Sequence, residues 1–248
     1  MTDALGYRRK LAVVAPSTNT IVQPEFDRMA PHGVTNHFSR IHIPDDPLGN
    51  DADFEELMVR IRAELMQAVD RAMTARPDYL VMGMSSETFW GGLAGSKELE
   101  AKLMERSGLQ VAMGSDASQA ALRCYGDIKR ISVVTPYMPV GDEEVRKFFT
   151  DCGFEVMAVH GLKSQSPTLI AHETAETLRD AVNAVNDPQV EAILQVGPNL
   201  AFAHIAPMAE FWLGKPVLAI NTATYWWALR QNGISGRIEG FGSLLTEH

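Results

Sequence analysis

The feature that most constrains this chain is that it resembles itself. Val111-Ala-Met-Gly-Ser-Asp-Ala-Ser-Gln-Ala-Ala-Leu-Arg-Cys-Tyr-Gly126 and Val217-Leu-Ala-Ile-Asn-Thr-Ala-Thr-Tyr-Trp-Trp-Ala-Leu-Arg-Gln-Asn-Gly233 each read as a short apolar strand, a polar turn, and a helix carrying Ala-Leu-Arg that glycine stops. Upstream, Val13-Val14-Ala15-Pro16-Ser17 answers Val133-Val134-Thr135-Pro136-Tyr137, and Leu80-Val81-Met82-Gly83 answers Leu194-Gln195-Val196-Gly197. This repetition predicts an α/β chain of two similar halves, residues 1–127 and 128–248, with the site between them. The segment 236–248 is expected to fold back on the first half.

The pattern between the repeats agrees. Apolar runs at 11–15, 79–84, 131–135, 154–159, 192–196 and 217–220 alternate with segments of helical period, as in a mostly parallel sheet flanked by helices. The clearest helix is 53–74, where Phe54, Leu57, Met58, Ile61, Leu65, Ala68, Val69 and Ala72 form one stripe expected to lie flat on the sheet. Asp142-Glu143-Glu144 opens a further helix that Gly153 closes.

With 248 residues, 46% of them hydrophobic, the chain can bury a sizeable core. Its net charge of -9, with no dense Lys/Arg face, argues against nucleic acid or an anionic membrane as partner. The run 11–15 is too short for a signal peptide, and no stretch approaches the roughly 20 apolar residues of a membrane span, so a cytoplasmic location is expected. A homo-oligomer is the usual expectation for such a fold. Cys124 and Cys152 lie in helix-like segments without a CxxC spacing or a neighbouring His, and are expected to be buried free thiols.

Three strand-end loops concentrate hydroxyls, amides and glycine: 16–20, 84–88 and 197–200. Such loops offer N–H and O–H donors to an anion without a full positive charge, so a small carboxylate or phosphate is their natural ligand. Taken singly, Ser17, Thr18, Ser85, Ser86 and Asn199 also suit helix N-caps. No GxxxxGK[ST] or GxGxxG motif stands at these turns.

These residues carry a resemblance. Val-Ala-Pro-Ser-Thr-Asn-Thr after the first strand, the Gly-Met-Ser-Ser turn, Val-Val-Thr-Pro-Tyr opening the second half, and Gly-Pro-Asn-Leu followed by Gly-Lys-Pro-Val resemble the maleate cis–trans isomerase and arylmalonate decarboxylase group of the aspartate/glutamate racemase superfamily. The resemblance implies two α/β halves enclosing a small carboxylate, with no metal or organic cofactor. It assigns substrate binding to Pro16, Ser17, Asn19 and Asn199, and carboxylate or enediolate binding to Ser85, Ser86 and Tyr137. The group's two catalytic cysteines fall on Met84 and Gly197, which cannot transfer a proton or attack. Met84, Gly197 and Pro198 remain expected at the substrate.

With thiols absent from those positions, Glu87 is the leading proton carrier: it follows the Ser85-Ser86 turn and is expected to be desolvated beside Phe89 and Trp90. A helix-first-turn acid is the competing reading. Tyr225 is expected to wall the pocket, and Ser166, in the polar loop 163–166, to touch substrate. His160 ends a strand where a general acid could sit, though a solvent-exposed histidine is the commoner case. His37 and His42, five apart in one strand, face opposite ways and make no metal pair. The leading expectation is a cofactor-independent isomerase- or decarboxylase-like enzyme working through an enolate or oxyanion. The rivals are a hydrolase of a small amide, cyclic imide or lactone using Glu87-activated water, and a catalytically inactive carboxylate-binding protein.

Overall fold

A computed structural model describes residues 3–248. Leu11 to Ala15 has no solvent exposure, as a continuous apolar run requires when helices cover both faces of a parallel strand. That run is the centre of β1 (Arg9–Pro16), which is followed by α1 (Val22–Met29), β2 (Val34–Ile41), α2 (Asp51–Met73), β3 (Tyr79–Met82), α3 (Ser86–Phe89), α4 (Gly92–Ser107), β4 (Val111–Ala112) and α5 (Gly114–Cys124). The second series is β5 (Arg130–Thr135), α6 (Pro139–Asp151), β6 (Glu155–Gly161), α7 (Ala175–Val185), β7 (Ala192–Gln195), α8 (Ile205–Leu213), β8 (Val217–Ala219), α9 (Ile220–Gln231) and α10 (Ser243–Glu247). All pairings are parallel, in two four-stranded sheets ordered β2-β1-β3-β4 and β6-β5-β7-β8. The sheets repeat one topology, so the α/β reading of the duplication holds.

The strand registers correct one detail of that duplication. Val14 pairs with Met82 and Val134 with Gln195, so Met82 answers Gln195. Likewise Gly83 N–H donates to Val14 O as Val196 N–H donates to Val134 O, both at 2.8 Å. The proposed match of Gly83 with Gly197 is therefore one residue out: Met84 is the counterpart of Gly197. Identical glycines suggested the wrong register because two apolar strands align equally well when slipped by one.

α2 starts where Asn50 accepts from Asp53 N–H, and it buries Phe54, Met58, Ile61, Leu65, Ala68, Val69 and Ala72, each large side chain contributing about 1.5–3 kcal/mol. The stripe does not lie wholly flat on the sheet. It packs on β1 and β2, while its first turn also reaches α6 of the other series, where Val140 N–H donates to Asp51 at 2.9 Å, and Phe54, Leu57 and Ile61 face the cavity described below.

The halves meet along α5 and α9, whose pairing places Ile220 Cδ1 3.0 Å from where a Cβ on Gly114 would sit. Gly114, Ala117 and Ala121 on α5 keep this approach close. α9 also packs on β3 and β4 of the first sheet. The chain end does not simply return to the first half: Ser243 Oγ lies 2.7 Å from Tyr125 Oη of the first series, but also donates to Glu210 on α8 at 2.7 Å, and α10 packs on α9. No helix among the described residues is long and apolar enough to cross a membrane.

Candidate active site between the two sheets

The loops leaving β1, β3, β5 and β7 converge at the carboxyl ends of both sheets, where parallel α/β folds place their ligands. They enclose a cavity of about 60 Å³. Ile43, Leu48, Phe54, Leu57, Ile61, Met84, Met138 and Ile170 supply an apolar wall, and Thr18, Asn19, Ser85, Ser86, Tyr137, Ser164 and Asn199 the polar groups. No charged side chain, histidine or cysteine is among the lining residues; Tyr137 is the one ionisable side chain.

Ser85 and Tyr137 form its polar centre. Ser85 sits one residue before the short α3, 1% exposed, because its carbonyl accepts from both Thr88 N–H (2.9 Å) and Thr88 Oγ1 (2.8 Å). Its hydroxyl lies 2.8 Å from Tyr137 Oη and accepts from Gly197 N–H at 3.2 Å. Tyr137 follows β5, its N–H donating to Thr135 Oγ1 at 3.1 Å and its ring packed 5.3 Å from Phe54. Burial pushes its phenol above the ordinary 10, with hydrogen bonds to Ser85 and Ser86 opposing, so it stays protonated and available as a donor. Whichever hydroxyl donates to the other, one O–H proton of the pair is left for a cavity ligand.

Several polar groups expected to bind substrate are already committed to the scaffold. Asn199 Oδ1 accepts from Thr20 N–H at 2.9 Å, and its Nδ2 donates to Pro167 O at 2.9 Å and Thr18 O at 3.4 Å, so this side chain clasps the two halves together. Asn19 Oδ1 caps α1 by accepting from Ile21 and Val22 N–H, which leaves its Nδ2 without a protein partner among the described residues. Ser17 is exposed and outside the lining: its hydroxyl bonds Ile43 N and O, holding the loop 42–50 over the cavity. Thr18, half-buried, takes the lining place instead. The donors left for a ligand are Thr18, Asn19 Nδ2, Ser86 and the Ser85–Tyr137 pair. Pro16, Met84, Gly197 and Pro198 also line the cavity.

The symmetry-related Met84 and Gly197 face one another's halves in different ways. Met84 brings its thioether to the wall at 3% exposure. Gly197 has φ +108°, and a Cβ there would lie 2.4 Å from Pro136 Cδ, so the backbone at this position excludes any side chain.

Besides Ser17, four expected residues lie elsewhere. Glu87 points from α3 toward α2, where Arg62 Nε donates to it at 2.7 Å and the guanidinium stacks on Trp90. Its pKa is raised by burial, with Arg62 opposing, and its Oε2 is buried without a partner, yet it does not line the cavity. Tyr225 is core: fully buried, 4.8 Å from the Phe26 ring, donating to Asn36 Oδ1 at 3.1 Å. Ser166 is buried but spends its oxygen on Leu169 N–H. Ser164 is the member of that loop in the lining, fixed by Ser164 N–H to Pro136 O and by donation to Glu173 at 2.8 Å. His160 is exposed on the edge strand β6. Cys124 and Cys152 are half-buried and also outside the lining. Among the described residues no group of three or more His, Cys, Asp or Glu converges as a metal-ligand set.

The residues not anticipated are mostly apolar. Phe54, Leu57 and Ile61 were legible as a helix stripe but not as a wall, and nothing in the sequence marked Ile43, Leu48 or Ile170.

A family model for arylmalonate decarboxylase matches residues 51–245. Among solved structures, the fold superposes with TM-score 0.87 on a mutant of Nocardia farcinica maleate cis–trans isomerase carrying a covalently bound succinylcysteine intermediate, at 22% identity over 97% of this chain and 99% of that one. It superposes with TM-score 0.86 on the maleate isomerase Iso from Pseudomonas putida S16, at 21% identity over 96% and 98%, and with 0.75 on an arylmalonate decarboxylase, at 19% over 95% and 98%. No curated protein sequence matches the chain.

Proposed function

The chain belongs to the arylmalonate decarboxylase family, and from that premise we propose that it is an enzyme that removes one carboxyl group from a small 2-substituted malonate held between its halves, 1–127 and 128–248. The observation that carries this reading is the Ser85–Tyr137 pair, which leaves one hydroxyl proton for a ligand in an otherwise largely apolar cavity. One carboxylate is retained by Ser86, Asn19 Nδ2 and that proton. The other lies against the wall of Leu48, Leu57 and Ile61, where it loses hydration and gains from leaving as neutral CO₂. The bond between Cα and the departing carboxyl breaks, and its electron pair passes into the retained carboxyl as an enediolate. The pair and Ser86 meet the growing negative charge. Cα then takes a proton from water admitted to the cavity, so no acidic side chain is required beyond the hydroxyls.

Two chemical arguments favour this over the alternatives. Isomerisation through a cysteine adduct, the kind of intermediate trapped in the Nocardia isomerase, needs a thiol at the reacting double bond, and neither cysteine lines this cavity. Hydrolysis by Glu87-activated water needs a free carboxylate at the substrate, and that of Glu87 is held by Arg62. The test is incubation with 2-alkyl- and 2-arylmalonates, and separately with maleate, in deuterated water, followed by NMR. Release of CO₂ with one deuterium at Cα is expected. Isomerised maleate without CO₂ release overturns the reading, and so does ligand binding without any product, which identifies a binding protein.

A further inference from the structure

Behind the cavity lies a carboxyl group that the proposed chemistry does not use. Glu25, one turn into α1, is 5% exposed and faces the second half. Its Oε2 accepts from Asn221 Nδ2 at 2.6 Å and its Oε1 from Ala203 N–H at 3.2 Å. The same Asn221 amide donates to Pro198 O at 2.9 Å. Glu25 therefore grips both ends of the loop 197–203, at Ala203 directly and at Pro198 through Asn221. This loop carries Gly197, whose N–H fixes Ser85, and Asn199, whose side chain clasps the halves. From the other side, Asn19 on the cavity wall caps the helix that bears Glu25. A buried charge with two donors aimed at it is costly to keep unless it serves a purpose beyond packing.

We infer that Glu25 is a positioning residue: as a carboxylate it holds the loop 197–203 against the first half, and on protonation it lets that loop go. Both neighbouring groups are donors and each has its own oxygen, so on protonation the oxygen that carries the proton becomes the poorer acceptor and one of the two bonds weakens. Burial pushes its pKa up to about 7, opposed by Asn221, Ala203 and Arg28, which places the change in a range where it can be followed. The charged and titratable groups around it are few. Arg28 shares its helix, His204 at the start of α8 contacts Arg28 at 3.3 Å, and α9 presents the neutral Asn221.

The test uses the ¹⁵N-labelled full chain, with the backbone amides of Ala203 and Gly197 followed between pH 5.5 and 8.5 and the affinity for oxalate, fully ionised over this range, measured alongside. The two amides are expected to shift together with one midpoint near 7, and Glu25→Gln to abolish that step. Oxalate affinity should fall about tenfold from pH 8 to pH 6 as the competent fraction shrinks, and be pH-independent in the variant. If Glu25→Gln does not fold, Asn221→Ala serves: Ala203 should still titrate while Gly197 no longer follows. Amides that do not titrate, or that titrate unchanged in Glu25→Gln, overturn the inference. Only the oxalate arm rests on the carboxylate reading of the cavity. Absent oxalate binding with titrating amides sinks that reading and keeps the latch; oxalate binding with silent amides does the reverse.

Discussion

The hydroxyl oxygens of Ser85 and Tyr137 stand 2.8 Å apart across the seam, one delivered by the first half and one by the second. Neither half can assemble this donor alone, and its geometry depends on how the sheets are docked. That dependence makes the pair a sensitive point for mutation.

Tyr137→Phe should lower kcat/KM by about 10²–10³, since the pair's O–H both holds the retained carboxylate and meets the charge that grows on it in the transition state. Steady-state kinetics on the best malonate substrate checks this. Product from Tyr137→Phe should still carry one deuterium at Cα, because the proton comes from water.

Gly197→Ala should destabilise the fold by about 1–3 kcal/mol, combining a φ of +108° with a Cβ 2.4 Å from Pro136 Cδ. Denaturant unfolding measures it. Gly197→Cys should carry the same penalty, so a thiol restored there would cost the fold stability. Wild-type-like stability of either variant would contradict the cavity geometry.

Burial pushes the Cys152 thiol up to about 11 and raises that of Cys124. Both should alkylate slowly with iodoacetamide at pH 7. Complete alkylation forced at higher pH should leave ligand affinity within about twofold, because neither lines the cavity. Mass spectrometry paired with binding distinguishes this from a thiol-dependent site.

Glu25 should make stability depend on pH in the direction opposite to a paired surface acid. Its folded pKa of about 7 lies above the ordinary 4.5, so between these values the native chain holds a proton that the unfolded chain has released. Stability from this group is full below about 4.5 and falls as pH rises to about 7, by about 3 kcal/mol in all. Urea unfolding at pH 5 and pH 8 should show that difference in the wild type and lack it in Glu25→Gln. The state that holds the loop best is thus the state that costs the fold most.

Glu87→Gln should alter turnover by less than about twofold. The ion pair is on a partly exposed Arg62, so stability should change by about 1 kcal/mol or less. A loss of several orders of magnitude in kcat would instead return Glu87 to the chemistry.

Much of the architecture was readable because strand runs such as 11–15 and 131–135 are continuous and apolar, and because the same order occurs twice. Ser85 and Ser86 drew notice from their strand-end turn, whereas Tyr137 entered only through the family resemblance. Side-chain direction was not readable. Ser17 and Thr18 are adjacent hydroxyls, and only the pull of Ile43 on Ser17 decides which faces the cavity. Ser164 and Ser166 differ by which of them follows the bond to Pro136 O. Glu87 was misdirected for a similar reason: its partner Arg62 lies 25 positions away on another helix, and no local pattern announces it. Glu25 drew no notice because its partners, Ala203 and Asn221, are 178 and 196 positions distant.

The packing of α9 on β3 and β4 carries a consequence for how the molecule comes apart. The first sheet is roofed by a helix that the ribosome makes only after all eight strands, so a nascent first half must wait with that surface bare. Once docked, α9 cannot lift without uncovering both α5 and the first sheet. Heat should therefore melt the chain in one concerted transition, and a polypeptide ending after the first half should stay incompletely folded or seek a second copy to cover the bare face.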